Sequence, residues 1–332
     1  MNRPRVGFLG VGWNGRSRME AMLATGAIDA AAIVEPSDEM AAGALALAPG
    51  AVRLDDYAAM LAAGLDGIVI ATPSALHADQ SIAALEAGAA VFCQKPLGRD
   101  AREATRVVDA AARADRLLSV DFSYRFTAGM AAIAPLVRGG ALGRIQAIDL
   151  VFHNAYGPDK PWFYDKAQAG GGCVLDLGVH LVDLALWTLG FPVVVDVHAA
   201  LFAGGTPMRA GADAVEDLAF ATLVLNTGTV VRLACSWRLH AGQDAVIEAS
   251  FYGTDGAAAM RNIAGSFVDF TADRFAGTSR TTLAGPPDAW SGRAAADWAM
   301  RLAGGVCFDP ESRRLVEVAR VIDRVYGAAG AG

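Results

Sequence analysis

The chain has 332 residues, of which 54% are hydrophobic and 19% are charged, and its formal net charge is −7. This length predicts two domains or one large one, and the hydrophobic content excludes a disordered chain. The acidic balance argues against nucleic acid or an anionic membrane as the main partner, and no uncharged run is long enough for a membrane-spanning helix.

Strands and helices alternate through the first third of the sequence. A continuous apolar strand at 5–10 leads into a glycine-rich turn and a helix at 16–25. Further strands are predicted at 30–34, 66–71, 90–93 and 117–121. Helices are predicted after Ser37, whose hydroxyl suits an N-cap, and at 80–87 and 101–113. This alternation is typical of a doubly wound parallel sheet.

The pattern changes near Phe122, where strand-like runs begin to follow one another without intervening helices. Two helices are predicted at 129–138 and 172–189, and a closing helix at 311–326. Strands are predicted at 145–152, 193–201, 218–225, 229–238 and 245–252. We therefore predict a dinucleotide-binding Rossmann domain at 1–121 and an α+β domain at 122–332, built on an open, mainly antiparallel sheet.

The first motif with chemical meaning is Gly10-x-Gly12-x-x-Gly15 on the strand-to-helix turn, with Glu35 at the end of the next strand. Gly10 permits the tight turn, Gly12 lets a pyrophosphate approach the backbone, and Gly15 lets helix and strand pack closely. Because the chain has 37 glycines, the alternative to dinucleotide binding is that this motif is a tight turn without a ligand. An acid at position 35 accepts from ribose hydroxyls and repels a 2′-phosphate, which favours NAD over NADP. No basic residue stands among the four residues that follow Glu35.

Two more polar motifs follow predicted strands, ATPSALH at 71–77 and QKPLG at 94–98. Ligands of such sheets bind outside the carboxyl ends of the strands, so both motifs are expected beside the nicotinamide half of the cofactor. His77 is equally well explained as an incidental histidine on a capped helix. Lys95 could stabilise an alkoxide that forms during hydride loss, although a solvated lysine in a turn is the common alternative. A cis Lys95–Pro96 bond is compatible with the sequence.

The last motif is AGGGCVLDLGVHLVD at 169–183. If a helix begins near Gly172, Asp176 and His180 lie four residues apart on one face, and Asp183 follows on roughly the same side. A carboxylate beside an imidazole orients the ring and raises its basicity, as a general base requires. Metal binding and a core histidine held by a carboxylate are the alternatives.

Taken together and in this order, these motifs resemble the Gfo/Idh/MocA oxidoreductases, which include inositol dehydrogenases and glucose–fructose oxidoreductase. The resemblance spans nearly the whole chain and implies that the closing helix packs back on the nucleotide domain. It implies His180 as the proton acceptor from a sugar hydroxyl, Lys95 as its electrostatic partner, and Asp176 as the residue that orients substrate and histidine.

The resemblance also implies two sets of binding residues. Cofactor contacts are expected from Gly10, Gly12, Trp13, Asn14, Gly15, Glu35, Thr72, Pro73, His77, Gln94 and Lys95. Substrate contacts are expected from Lys95, Tyr124, Arg125, Trp162, Asp176 and His180. Trp162 lies in a stretch, 154–168, that resembles the variable loop of the family and would select the substrate.

One residue departs from the family pattern. Gln94 stands where the family commonly has a glutamate, which keeps an acceptor oxygen but removes a charge beside Lys95. Without that charge the pKa of Lys95 could be lower, and the sequence leaves open whether this tunes or weakens activity.

The resulting prediction is an NAD-dependent dehydrogenase that acts on a secondary alcohol of a sugar, inositol or related polyol, without a metal. Three alternative functions remain: a nucleotide-dependent sensor of the same fold, an imine or enone reductase, and a glycosidase that uses transient hydride transfer.

A homodimer or homotetramer is expected, as the family commonly forms. Four scattered cysteines without a Cys-x-x-Cys pair fit reduced thiols in the cytoplasm, and we interpret the N-terminus as the first strand of a mature protein rather than a signal peptide.

Overall fold

A computed structural model describes residues 3–329 of the chain. The chain divides into two compact units. The first unit contains the residues up to Ser123 together with Gly292–Val316, and the second contains Tyr124–Ser291 together with the chain from Glu317 onward. The predicted domains also include residues 1, 2 and 330–332, which lie outside the described residues.

The first unit contains a parallel six-stranded sheet in the order β3-β2-β1-β4-β5-β6. This is the strand order of dinucleotide-binding folds, so the predicted Rossmann sheet is confirmed. The strands are β1 (Arg5–Leu9), β2 (Asp29–Val34), β3 (Val52–Arg53), β4 (Gly67–Ile70), β5 (Ala90–Cys93) and β6 (Leu118–Val120). The helices are α1 (Trp13–Ala24), α2 (Asp38–Leu47), α3 (Tyr57–Ala62), α4 (Ser74–Glu86), α5 (Ala101–Ala114) and α9 (Arg293–Ala303).

The local sequence accounts for most of these elements. β4 and β5 are short apolar runs with every residue buried, as expected for strands covered by helices on both faces. Ser37 caps α2 by accepting from the backbone N–H of Met40, as predicted. α1 and α4 begin three and six residues earlier than predicted.

The second unit contains a nine-stranded sheet in the order β15-β14-β13-β12-β7-β11-β10-β8-β9. All neighbours pair antiparallel except β7 and β11, so the predicted mainly antiparallel sheet is confirmed. The strands are β7 (Ile145–Asn154), β8 (Val194–Ala203), β9 (Thr206–Pro207), β10 (Leu218–Leu225), β11 (Val230–Ser236), β12 (Ala245–Gly253), β13 (Ala257–Asn262), β14 (Phe270–Ala276) and β15 (Ser279–Ala284). β9 and the last three strands were not predicted.

The helices of this unit are α6 (Ala128–Arg138), α7 (Lys166–Ala169), α8 (Val179–Thr188) and most of α10 (Arg314–Ala328). α6 packs on β13, β14 and β15, and α8 packs on β7 and β11. A single π-helical turn, Val174–Gly178, precedes α8, so the helical segment predicted at 172–189 is found, with a π-helical turn at its start that was not predicted. The stretch Lys166–Thr188 is long and apolar enough to cross a membrane, but 89% of its most apolar window is buried inside the protein, as in a core helix.

The closing helix was predicted at 311–326 and is found as α10, which begins at Arg314 after one 3₁₀ turn. Its first three residues belong to the first unit and the others to the second. The domain boundary at 121/122 and the packing of this helix on the nucleotide domain stay predictions.

Candidate active site

The glycine loop connects β1 to α1 in the first unit. Gly10 has a φ of +82°, which favours glycine, and its N–H donates to Val34 O at 2.9 Å. A Cβ on Gly15 would lie 2.1 Å from Gly10 O, whereas a Cβ on Gly12 would meet nothing within 4 Å. Trp13 and Asn14, the first residues of α1, are exposed. The loop therefore presents an open helix N-terminus, which suits a phosphate group.

Glu35 follows β2 and faces this loop. Its Oε2 accepts from the Val11 N–H at 2.9 Å, and its Oε1 accepts from the Ser37 N–H at 3.0 Å. The carboxylate thus fixes the second residue of the glycine loop and keeps acceptor capacity for ribose hydroxyls.

A basic residue lies beside Glu35, contrary to the sequence analysis. Arg53 Nη2 donates to Glu35 O at 2.9 Å, and its Nη1 donates to Asp38 Oδ1 at 2.6 Å. The prediction considered only residues that follow Glu35 along the chain, whereas the pairing of Ile33 with Arg53 brings the guanidinium in from β3.

His77 is 1% exposed on α4. Its Nδ1 lies 2.6 Å from Pro96 O and its Nε2 lies 2.8 Å from Thr72 O. Burial lowers the pKa of the ring. Because both ring nitrogens meet backbone carbonyls, His77 joins the loop after β4, which contains Thr72 and Pro73, to the loop after β5.

Gln94 and Lys95 follow β5, and the Lys95–Pro96 bond is cis. Gln94 is 8% exposed, and its Nε2 donates to Asp121 Oδ2 at 2.7 Å. Arg18 Nε donates to the same oxygen at 2.6 Å. Sequence reasoning missed Arg18 and Asp121, because nothing in their local sequence distinguishes them from other charged residues.

In the second unit, Asp176 lies in the π-helical turn. Its Oδ2 accepts from Trp237 Nε1 at 3.0 Å, and Trp237, just beyond β11, is 3% exposed. A tryptophan at the end of a predicted strand was the only available signal for this contact. The indole holds the carboxylate in one orientation.

His180 lies in the first turn of α8 and is 7% exposed. The ring of Tyr124 packs edge-on against it with centroids 4.9 Å apart, and Phe152 lies 6.4 Å away. Tyr124 also contacts Trp290, at 4.9 Å. Two aromatic rings thus lie against the imidazole, and of these only Tyr124 was predicted.

Arg125 and Asp183 form a two-pronged ion pair in the second unit. Arg125 Nε donates to Asp183 Oδ2 at 2.7 Å, and its Nη2 donates to the other carboxylate oxygen. Burial raises the pKa of Asp183, and Arg125 opposes that rise. No group of His, Cys, Asp and Glu among residues 3–329 is arranged to hold a metal ion.

The glycine run before the π-helical turn is closely approached by other groups. A Cβ on Gly171 would lie 1.9 Å from the Tyr326 hydroxyl, and one on Gly172 would lie 1.9 Å from Glu216 O. Gly170 has a φ of +86° at the end of α7. These glycines therefore permit packing against two segments that are distant in the sequence.

Glu216 anchors this run and was not predicted. Its Oε1 accepts from the N–H groups of Gly172 and Val174 at 2.9 Å each, and from the Tyr326 hydroxyl at 2.8 Å. Its Oε2 is buried and has no hydrogen-bond partner among residues 3–329. Burial raises the pKa of Glu216.

Trp162 lies in the predicted variable loop. Its ring stacks on Phe163 with centroids 3.8 Å apart and an interplanar angle of 20°. Phe163 and Tyr164 each meet the ring of Trp237 edge-on, at 6.3 and 5.6 Å. The loop is therefore linked through Trp237 to Asp176.

Comparison with known proteins identifies the family of the chain. Residues 4–122 match the model of an oxidoreductase family with an NAD-binding Rossmann fold, and residues 130–259 match the GFO/IDH/MocA C-terminal domain. D-glucoside 3-dehydrogenase of Escherichia coli is 30% identical over 62% of this chain and 62% of its own length. A putative UDP-kanosamine synthase oxidoreductase subunit of Amycolatopsis mediterranei is 31% identical over 72% of this chain and 70% of its own length.

Solved structures share the fold at lower identity. A levoglucosan dehydrogenase in complex with NADH and levoglucosan has a TM-score of 0.83 and 23% identity, over 99% of this chain and 97% of that one. A 3-ketoreductase of Actinomadura kijaniata in complex with NADP has a TM-score of 0.82 and 21% identity, over 99% and 98%. The chain therefore belongs to the Gfo/Idh/MocA family of oxidoreductases, with an NAD-binding Rossmann fold.

Proposed function

We propose that the chain is an NAD-dependent dehydrogenase of a secondary alcohol in a sugar, cyclitol or related polyol. The observation that carries the proposal is the pairing, in one chain, of an open glycine loop facing Glu35 with an oriented Asp176 and an enclosed His180. The relatives named D-glucoside 3-dehydrogenase and inositol 2-dehydrogenase support this substrate class.

In the proposed reaction His180 takes the proton of the substrate hydroxyl, and the Lys95 ammonium stabilises the negative charge that develops on the oxygen. Asp176, held by Trp237, orients the substrate and the imidazole. NAD, when bound, accepts the hydride that leaves the same carbon.

The cofactor contacts are proposed for the glycine loop with Trp13 and Asn14, for Glu35, and for the loops that contain Thr72, Pro73 and Gln94. For His77 we propose an indirect role, since its ring nitrogens face Pro96 O and Thr72 O. Tyr124 and Trp162 are proposed as walls for a sugar ring, whose apolar face packs well on aromatic rings. Arg125 is proposed to contact substrate while it is held by Asp183.

The test is to mix the protein with NAD and a panel of polyols and to follow the absorbance of NADH. With an active polyol, His180→Ala and Lys95→Ala should each lose most of the turnover, by about 100-fold or more. Arg102→Ala is the control for removal of a cationic side chain, because this residue is exposed on α5, away from both the site and the nine-stranded sheet. Near-wild-type turnover in both folded variants would contradict the proposal.

Other outcomes of the same panel identify the alternatives. NADH binding without turnover of any polyol would favour a sensor. Release of an aglycone without net change in NAD would indicate a glycosidase, and turnover restricted to imines or enones would indicate a reductase of those groups.

We further propose a homodimer or homotetramer assembled through the uncovered face of the nine-stranded sheet. Phe220 and Tyr252 are exposed large apolar residues on this face, and they would be buried in such an interface. Phe220→Arg should lower the molar mass measured by light scattering, and an unchanged mass would argue against this face.

A cytoplasmic location is proposed because all four cysteines are free thiols, and cell fractionation tests it.

A further inference from the structure

Three buried side chains form a polar cluster in the first unit. Arg18, Gln94 and Asp121 are 7%, 8% and 1% exposed. Arg18 Nε and Gln94 Nε2 donate to the same oxygen, Asp121 Oδ2, at 2.6 and 2.7 Å. The cluster holds one positive charge, one negative charge and one neutral amide, so it is electrically balanced.

The register of the sheet creates this cluster. Cys93 pairs with Val120 across the parallel strands β5 and β6, so the next residues along each strand, Gln94 and Asp121, are neighbours. The Asp121 N–H donates to Cys93 O at 3.0 Å, which fixes its backbone beside β5. Arg18 reaches the same point from α1, the helix that begins at the glycine loop. The cluster therefore links the phosphate-binding helix to the segment that contains Lys95.

This arrangement accounts for a glutamine at position 94. A glutamate there would place a carboxylate oxygen about as far from Asp121 Oδ2 as the amide nitrogen is now, at 2.7 Å. Two carboxylates at that distance in a buried site cannot both ionise without a large cost. The cluster would also carry an unbalanced buried negative charge. Asp121 and Gln94 are thus complementary, and each restricts what the other position can hold.

We propose that Asp121, held by Arg18, is a positioning residue that sets the orientation of the Gln94 amide and the path of the chain into Lys95. Because Nε2 is bound to Asp121, the planar amide must turn its oxygen away from that carboxylate. An amide oxygen in that place suits an N–H donor, and the carboxamide of nicotinamide is a ligand group of this kind. The inference rests on the proposed dehydrogenase function.

The experiment is a charge swap between the two positions. Gln94→Glu and Asp121→Asn are made singly and together, and NADH affinity, kcat, KM and Tm are measured for each. Each single change should lower kcat/KM by about 10- to 100-fold, because the segment before Lys95 is displaced. The double variant should recover most of the loss. In it the net charge is restored, the asparagine amide at position 121 donates to the new carboxylate at position 94, and Arg18 again has one buried carboxylate in the cluster to pair with.

A matched control separates the swap from a general effect of added charge. Gln146→Glu makes the same change at an exposed position of β7 and should resemble wild type in all four measurements.

The rescue distinguishes positioning from mere stability. If the single changes lower only Tm, or if the double variant is no better than the worse single one, the inference is overturned. Should Gln94→Glu fail to fold, Gln94→Met removes the donor without adding charge and should still lower kcat/KM. If the proposed function is wrong, His180→Ala and Lys95→Ala retain their turnover. The effect of the cluster can then still be measured through the NADH affinity of the position 94 and 121 variants.

Discussion

The two units build their sites in different ways. In the first unit, the glycine loop and Glu35 lie within one β-α-β segment, and most of their contacts are made by the backbone. In the second unit, Asp176 depends on Trp237, and the glycine run before it depends on Glu216 and Tyr326. The cofactor site can therefore be predicted from the spacing of residues in one segment. The site around Asp176 depends on residues that only the folded chain brings together.

The largest loss of stability and NADH binding is expected at Gly15, where the backbone of the glycine loop leaves no space for a side chain. In Gly15→Ala the new Cβ would lie 2.1 Å from Gly10 O, which forces the loop and α1 apart. We expect the free energy of unfolding to fall by about 1–3 kcal/mol and NADH binding to be lost. Urea unfolding and NADH fluorescence measure the two effects.

Gly12→Ala is the matched control for that change. Its Cβ would meet nothing within 4 Å in the protein, and its φ is −59°. Stability should therefore stay near wild type, while NADH affinity should fall because the methyl group occupies the approach of the pyrophosphate. Equal destabilisation by both alanines would show that the loop is not limited by the Gly10–Gly15 contact.

A substitution at Trp237 tests the long-range site. Trp237→Phe keeps an aromatic ring but removes the donor to Asp176 Oδ2. A hydrogen bond to a charged group contributes about 1.5–3 kcal/mol, so kcat/KM for the polyol should fall by about 10- to 100-fold. NADH affinity should not change, because the first unit is untouched. Steady-state kinetics and fluorescence titration provide both values, and an equal loss of NADH affinity would contradict the separation of the two sites.

The preference for NAD over NADP tests whether the cofactor site depends only on the residues of its sequence motif. Replacing the acid in Glu35→Ser should raise the ratio of NADP to NAD in kcat/KM by about tenfold or more, since a 2′-phosphate would no longer meet a carboxylate. Arg53, which already contacts Glu35 O and Asp38, would then face the phosphate. Adding Arg53→Ala to Glu35→Ser should reverse most of the gain. If it does not, the preference depends on Glu35 alone.

The difference between the units also explains what the sequence could predict. The parallel sheet, the glycine loop and the Ser37 cap follow from local patterns, and the structure confirms them. The helical segment predicted at 172–189 is also found, but its π-helical turn was not predicted, and the Glu216 carboxylate that binds the Val174 N–H comes from outside the segment.

The sequence did not predict which side chains form hydrogen bonds with one another. Nothing in the local sequence marks Arg53, Trp237 or Glu216, because each of them binds a partner that is distant in the sequence. Asp183 shows the reverse case, since spacing placed it beside Asp176 and His180 whereas the fold pairs it with Arg125. Periodicity predicts the face of a helix, but it does not predict what packs against that face.

The smallest effect is a change in how stability depends on pH, and it concerns the Glu216 anchor. Burial raises the pKa of this carboxyl above its ordinary value of 4.5, so the folded state holds the proton more tightly than the unfolded state does. Its contribution to stability is therefore complete below the unfolded-state pKa and declines as the pH rises towards the folded-state pKa. In Glu216→Gln this decline should be absent, because glutamine does not titrate.

The measurement compares the free energy of unfolding of wild type and Glu216→Gln at several pH values from about 4 upward. All other titrating groups are shared by the two proteins, so the difference between the curves isolates Glu216. At low pH the variant should be no more stable than the wild type, because the protonated acid is neutral like the amide and still accepts from Gly172 and Val174. As the pH rises, the stability of the variant relative to the wild type should increase. A difference that stays constant with pH would mean that Glu216 has the same pKa in the folded and unfolded chains.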